Sequence, residues 1–176
     1  MEEKIMKKMT SAYANKVLKK LKEDKVFWVK KEQEGYVYVA ALDEEPVIPE
    51  YDYKTVADNI AEIDEKIAII KHTINLVNVT NEIAVGDKMY TIDTILVKMA
   101  QMNKRKEVLD RMRKMQPQTR IRTDVYISRK TSPEYQYINF DLELVKKEYE
   151  ELDARIATMQ IELDKFNQTF EFEVNI

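Results

Sequence analysis

The chain has no cysteine, one histidine and two glycines among its 176 residues. Without cysteine there is no disulfide scaffold, thiolate metal site or cysteine nucleophile, which fits a reducing compartment. Gly35 and Gly86 stand alone, so neither a phosphate-binding P-loop nor a dinucleotide fingerprint can be written here. His72 has no second imidazole to work with, and Ile69 stands where a Glu-x-x-His di-iron motif needs its glutamate. Ser11, Ser128 and Ser132 sit in no nucleophile elbow. Glu148, Glu150, Glu151 and Asp153 read as the solvated face of a helix. These absences lead to the expectation of a protein that is not an enzyme and needs no cofactor or metal. Long apolar runs are missing too. The longest uncharged stretch, His72 to Asn81, is about half of the roughly 20 residues a membrane span needs. The start is charged and lacks the apolar run of a secretory signal, so a cytoplasmic, soluble protein is expected.

Charge is plentiful by contrast, at 35% of residues, as expected of long helices that expose much surface. The net charge of −3 gives no case for duplex nucleic acid or an acidic membrane, but it conceals a segregation. Ala41 to Lys66 holds nine carboxylates against two lysines, whereas Arg111 to Lys130 holds seven basic residues against Asp124 alone.

Apolar spacing predicts a mainly α fold: a long antiparallel helical bundle with coiled-coil-like seams and a small β-hairpin appendage, in a single domain spanning 1–176. A first helix is expected over 1–24 and a β-hairpin over 25–42, where Tyr36, Val37, Tyr38 and Val39 are strand formers. An acidic connector with Pro46 and Pro49 follows at 43–54, its Asp52 or Thr55 placed to cap the next helix. Over 55–79, Val56, Ile60, Ile63, Ile67, Ile70, Ile74 and Val77 recur at alternating spacings of four and three, a heptad seam. A reversal containing Gly86 leads to a helix over 91–116, capped by Thr91. Residues 119–140 read as a basic hairpin or a loop. A helix over 141–167 repeats the seam pattern and is expected to pair with the helix of 55–79. Residues 169–176 alternate as a terminal strand suited to join the first hairpin.

The basic stretch is the chemically distinctive region. Arg113, Arg120, Arg122, Arg129 and Lys130 are interleaved with Tyr126, Tyr135 and Tyr137. Arginine offers a planar fork of donors suited to phosphate, and tyrosine a stacking face with a hydroxyl. A strand over 119–128 would put Arg120, Arg122 and Tyr126 on one side. Neutralisation by the acidic connector, within a chain or between subunits, explains the same composition equally well. Asn78 and Asn81 close the second long helix, where capping is the ordinary role and a pocket the alternative.

The patterns INLVNVTNEI, TIDTILVKM and KEVLDRMRKM, together with LDARIATMQIELDKFNQTFEFEV, resemble the septicolysin-like family of small helical-bundle proteins from bacteria and their phages. The resemblance covers roughly residues 43 to 176; members often end in Asn-Trp, whereas Phe166, Asn167 and Gln168 occupy that region here. It implies an oligomerising bundle and transfers no catalytic residue. The expected function is a homo-oligomer binding an anionic, phosphate-bearing nucleotide-like molecule, in a phage setting a sponge for a cyclic-nucleotide immune signal. The alternative is a structural adaptor whose basic segment docks on an acidic protein surface.

Overall fold

The computed structural model describes residues 6–121 and 133–176. Four long helices carry most of the chain: α1 (Ser11–Gly35), α2 (Tyr53–Thr80), α3 (Ile92–Arg113) and α4 (Leu142–Thr169). Among the described residues, three separate antiparallel strand pairs lie around them: β1 (Met6–Thr10) with β6 (Glu171–Asn175), β2 (Glu82–Val85) with β3 (Lys88–Thr91), and β4 (Gln118–Arg120) with β5 (Tyr135–Tyr137). The helix starts follow from local chemistry. Asp52 accepts from the Thr55 amide at 2.7 Å, and Thr91 Oγ1 accepts from the Thr94 amide at 3.2 Å. Thr10 and Asp141 cap α1 and α4 in the same way, satisfying amides that have no partner inside the helix.

The helices pack as two antiparallel hairpins. In the first, α1 runs against α2, with Lys25 Nζ 2.6 Å from the Asp64 carboxylate. In the second, α3 runs against α4, pinned by the ion pair of Lys106 and Asp153. The heptad seam of α2 is visible in its burial. Val56, Ile63, Ile70 and Val77 are buried, while Ile60, Ile67 and Ile74 on the alternate line are half-buried.

Four expectations are corrected. The hairpin of 25–42 does not form, because α1 continues to Gly35. The helix formers Lys30, Lys31, Glu32, Gln33 and Glu34, with a Lys30–Glu34 pair one turn apart, outweigh the strand preference of Val26 to Val29. Gly35 then lies against Tyr51, whose Cβ would be 2.7 Å from any added Cβ. The first helix begins at Ser11, because Met6–Thr10 is the strand that β6 needs; Met9 faces Phe172 in that register and both are buried. The terminal strand therefore joins β1. Finally, α4 packs along α3 instead of α2.

Two cores result. One gathers Met9, Ala14, Leu18, Ile70, Val77, Phe172 and Val174. The other gathers Ile92, Ile95, Met99, Ile156, Met159 and Leu163. Phe166, stacked on Phe170 at 4.7 Å, packs against both and joins the two hairpins at their common base.

Candidate functional site

The residues predicted for ligand binding fall at two ends of the second hairpin. At its tip, β4 and β5 set Arg120 opposite Tyr135 and Gln118 opposite Tyr137, with Gln118 Nε2 donating to Tyr137 Oη at 3.3 Å. The Tyr135 and Tyr137 rings are 6.5 Å apart and exposed. Arg122, Tyr126, Arg129 and Lys130 lie outside the described residues. Arg113 is already engaged. Its Nη2 lies 2.7 Å from Asp110 Oδ1, and its guanidinium sits 3.9 Å over the Tyr149 ring, so it ties α3 to α4. Hydrogen bonds from Lys114 and then Arg113 hold the Asp110 carboxyl below the usual carboxylate range.

Asn78 and Asn81 are at the opposite end of α3, whose 22 residues span about 33 Å at the helical rise. Asn81 acts as a cap: its side-chain amide donates to the Val77 carbonyl at 2.9 Å, and its own carbonyl accepts from the Ile92 amide at 3.2 Å. Asn78 is half-buried in the last turn of α2. The acidic connector is at the tip of the other hairpin. Asp52 is spent on capping α2, and among the described residues Arg113 and Lys114 pair with Asp110 instead of the connector.

A different set of residues does converge. Where the β2–β3 hairpin folds against α3 and α4, a cleft of about 520 Å³ opens. Gly86 creates its rim. Its φ of +61° at the first position of a two-residue turn suits a type II′ connection, which brings Lys88 back beside Val85. Helical spacing supplies the walls twice over. Lys98, Gln101 and Met102 share one face of α3, and Arg155, Thr158 and Met159 share one face of α4, each set reading cation, polar group, methionine. Tyr90 completes the lining, with Lys98 Nζ 5.4 Å from its ring centre.

The electrostatics are one-sided. Lys88, Lys98 and Arg155 line the cleft against a single carboxylate, Asp87, and among the described residues none of the three cations is in an ion pair. Met159 is buried and belongs to the second core, so the floor is apolar and rigid. The Thr158 hydroxyl donates to the Ala154 carbonyl at 3.0 Å, which leaves its lone pairs free to accept. Such a cleft suits a molecule with an anionic group and a planar or apolar body, and its volume lies in the range of small-molecule sites. Among the described residues no three His, Asp or Glu side chains converge as metal ligands. Sequence reasoning passed over this site because its cations come from three segments. The repeated spacing Lys98–Gln101–Met102 and Arg155–Thr158–Met159 was the available signal.

No protein-family model matches the chain, and no curated protein matches it. Its fold is similar to the crystal structure of a functionally unknown conserved protein from Corynebacterium diphtheriae. That likeness has a TM-score of 0.65 at 12% identity and covers 94% of this chain and 99% of the other. At this identity it concerns the fold alone. No described helix is long and apolar enough to cross a membrane.

Proposed function

We propose that this chain is a non-enzymatic, self-associating cytoplasmic protein that binds an anionic, phosphate-bearing, nucleotide-like small molecule. Membership of the septicolysin-like family, with a coiled-coil-like bundle completed between copies, belongs to the same proposal and rests on the sequence patterns quoted above. The observation that carries it is the junction cleft: Lys88, Lys98 and Arg155, without ion-pair partners among the described residues, beside Tyr90 and over a methionine floor. Charge-assisted hydrogen bonds from these groups would hold phosphate oxygens, while Tyr90, Met102 and Met159 would cover a base. Binding alone needs no nucleophile or general base. In a phage setting the matching role is a sponge that sequesters a cyclic-nucleotide signal.

Calorimetric titration with mono-, di- and cyclic nucleotides and with inorganic phosphate tests this. At least one nucleotide should bind and be recovered unchanged. Lys98→Ala with Arg155→Ala should weaken it by about tenfold or more per cation removed, from the worth of charged hydrogen bonds. Absence of binding across the panel, or undiminished binding by the double variant, refutes the reading.

The second reading, an adaptor docking on an acidic protein surface, is favoured by one feature. Arg120, Tyr135 and Tyr137 form an exposed strand-pair surface at the far tip. It predicts that Arg120→Ala weakens capture of an acidic partner and leaves nucleotide binding unchanged.

A further inference from the structure

The outward face of α1 carries an exposed aromatic at the centre of an antisymmetric charge pattern. Phe27 is 61% exposed although it lies well inside a 25-residue helix. Helical spacing puts on its face the residues three, four and seven positions away. Before it these are Asp24, Glu23 and Lys20; after it they are Lys30, Lys31 and Glu34. At each distance the two sides carry opposite signs: acid before and base after at three and four, base before and acid after at seven. All six are exposed except Lys31, which is half-buried with its Nζ 5.7 Å from the Trp28 ring centre. Their engagements within the chain are slight. Lys30 Nζ is 3.5 Å from Glu34 Oε1 and Glu23 Oε1 is 3.9 Å from Lys19 Nζ, both pairs lying in solvent, where such contacts are weak.

We propose that the α1 helices of two copies pack antiparallel about a two-fold axis at Phe27. This rests on the self-association included in the reading above, names its surface, and is independent of the nucleotide. In a two-fold contact residue i of one copy meets residue j of the other, and j meets i. With the axis at Phe27, residues equally far before and after it come level on the two helices. The helical turn puts Lys31 and Asp24 of opposing copies on one flank of the contact, Lys30 and Glu23 on the other, and Lys20 and Glu34 along its middle. Each of these contacts joins opposite charges and occurs twice by symmetry. A parallel pairing would set every one of these charges against its like, so the pattern selects an antiparallel second copy. The two Phe27 rings meet at the axis as an apolar centre inside a charged rim. Glu50 extends the match. With Phe27, Lys30, Lys31, Glu34 and Pro49 it lines a groove of about 370 Å³, at the end of α1 to which the other copy brings its exposed Lys16 and Lys20.

Sedimentation velocity between about 1 and 100 micromolar should show a dimer for the full chain. Lys30→Glu with Lys31→Glu, and separately Glu23→Lys with Asp24→Lys, set like charges against each other across the axis. Each double variant should be monomeric with unchanged helical circular dichroism, since these side chains lie on the surface of α1. Mixing the two variants restores opposite charges at both contacts, so a heterodimer should form with an affinity about tenfold or more above that of either variant for itself. None of the four residues lines the cleft, so nucleotide binding should be the same in both variants as in the unchanged chain. A dimer that persists in both variants, or a mixture that stays monomeric, overturns this surface and leaves self-association and the cleft reading standing. A full chain that is monomeric throughout overturns this inference and the self-association with it.

Discussion

In the first helical hairpin α2 buries Val56, Ile63, Ile70 and Val77, spread over its length, but α1 buries only Ser11, Ala14 and Leu18, all near its start. In the second, both partners bury residues from end to end: Ile92, Ile95, Met99 and Leu109 on α3, Val145, Ile156, Met159 and Leu163 on α4. The second hairpin is further tied by Lys106 to Asp153 and by Arg113 and Lys106 over Tyr149. The outer half of α1 instead leaves Val26 and Phe27 exposed, and the loop beyond continues that apolar surface. One hairpin thus buries side chains along both partners, whereas the other buries α2 as far as Val56 at its tip but leaves the outward face of α1 exposed. The difference separates a second hairpin whose packed helices line the cleft from a first hairpin whose outer helix face stays exposed.

The contrast breaks most readily in the core. Leu109 is 2% exposed, so Leu109→Ala should cost about 3 kcal/mol in denaturant unfolding, whereas Val29→Ala on half-buried α1 should cost about 1 kcal/mol or less. Equal losses would show that the outer first hairpin is as tightly packed as the second. Gly86→Ala comes next. Nothing lies within 4 Å of the added Cβ, so the cost is backbone strain of about 1–3 kcal/mol at a positive φ. It should distort the cleft rim, lowering nucleotide affinity while leaving the sedimentation behaviour unchanged. Ser11 sharpens the picture at the base of the first hairpin, where its hydroxyl is buried without a hydrogen-bond partner. Ser11→Ala should be neutral or raise stability by up to about 1 kcal/mol in thermal melts, and a clear loss would reveal a partner.

The smallest effects are those of pH. Asp52, held low by its bonds to Thr55, belongs to the first hairpin; Asp110, held low by Lys114 and Arg113, belongs to the second. Depressed carboxyls add stability above the unfolded value of about 3.9, and that stability is lost as pH falls through the lower folded value. On the alkaline side, the hydrogen bond to Asp153 raises Lys106, so its contribution is present below about pH 10.4 and is lost as pH rises through the folded value. Melting curves of Asp52→Asn and Asp110→Asn between about pH 2 and 6 should each flatten a separate part of the acid limb. Identical profiles would mean that the two hairpins unfold as one unit.

The helices of 55–79, 91–116 and 141–167 were legible to within a few residues, as was the cap Thr91, because periodicity and side-chain capping act within one or two turns; of the two caps open for α2, Asp52 and Thr55, the structure uses Asp52. Strand propensity at Val26 to Val29 misled, since neighbouring helix formers and a covering helix decide such ambiguous runs. Which helices pair was not legible either. The seams of α2 and α4 are interchangeable as patterns, and the connections chose between them: the short β2–β3 reversal sets α3 beside the end of α2, and the β1–β6 pair draws both termini to the base.

The chain's residue order by itself determined the helices of 55–79, 91–116 and 141–167, the terminal strand, the cap at Thr91 and the opposed charge of two segments, all of which depend on near neighbours. Only the tertiary structure decided that Lys88, Lys98 and Arg155 face one cleft, that Arg113 is spent on Asp110 and Tyr149, and that the amides of Val37 to Val39 meet no acceptor among the described residues. Convergence of distant side chains, and the absence of a covering surface, arise from packing between elements, which no local pattern encodes.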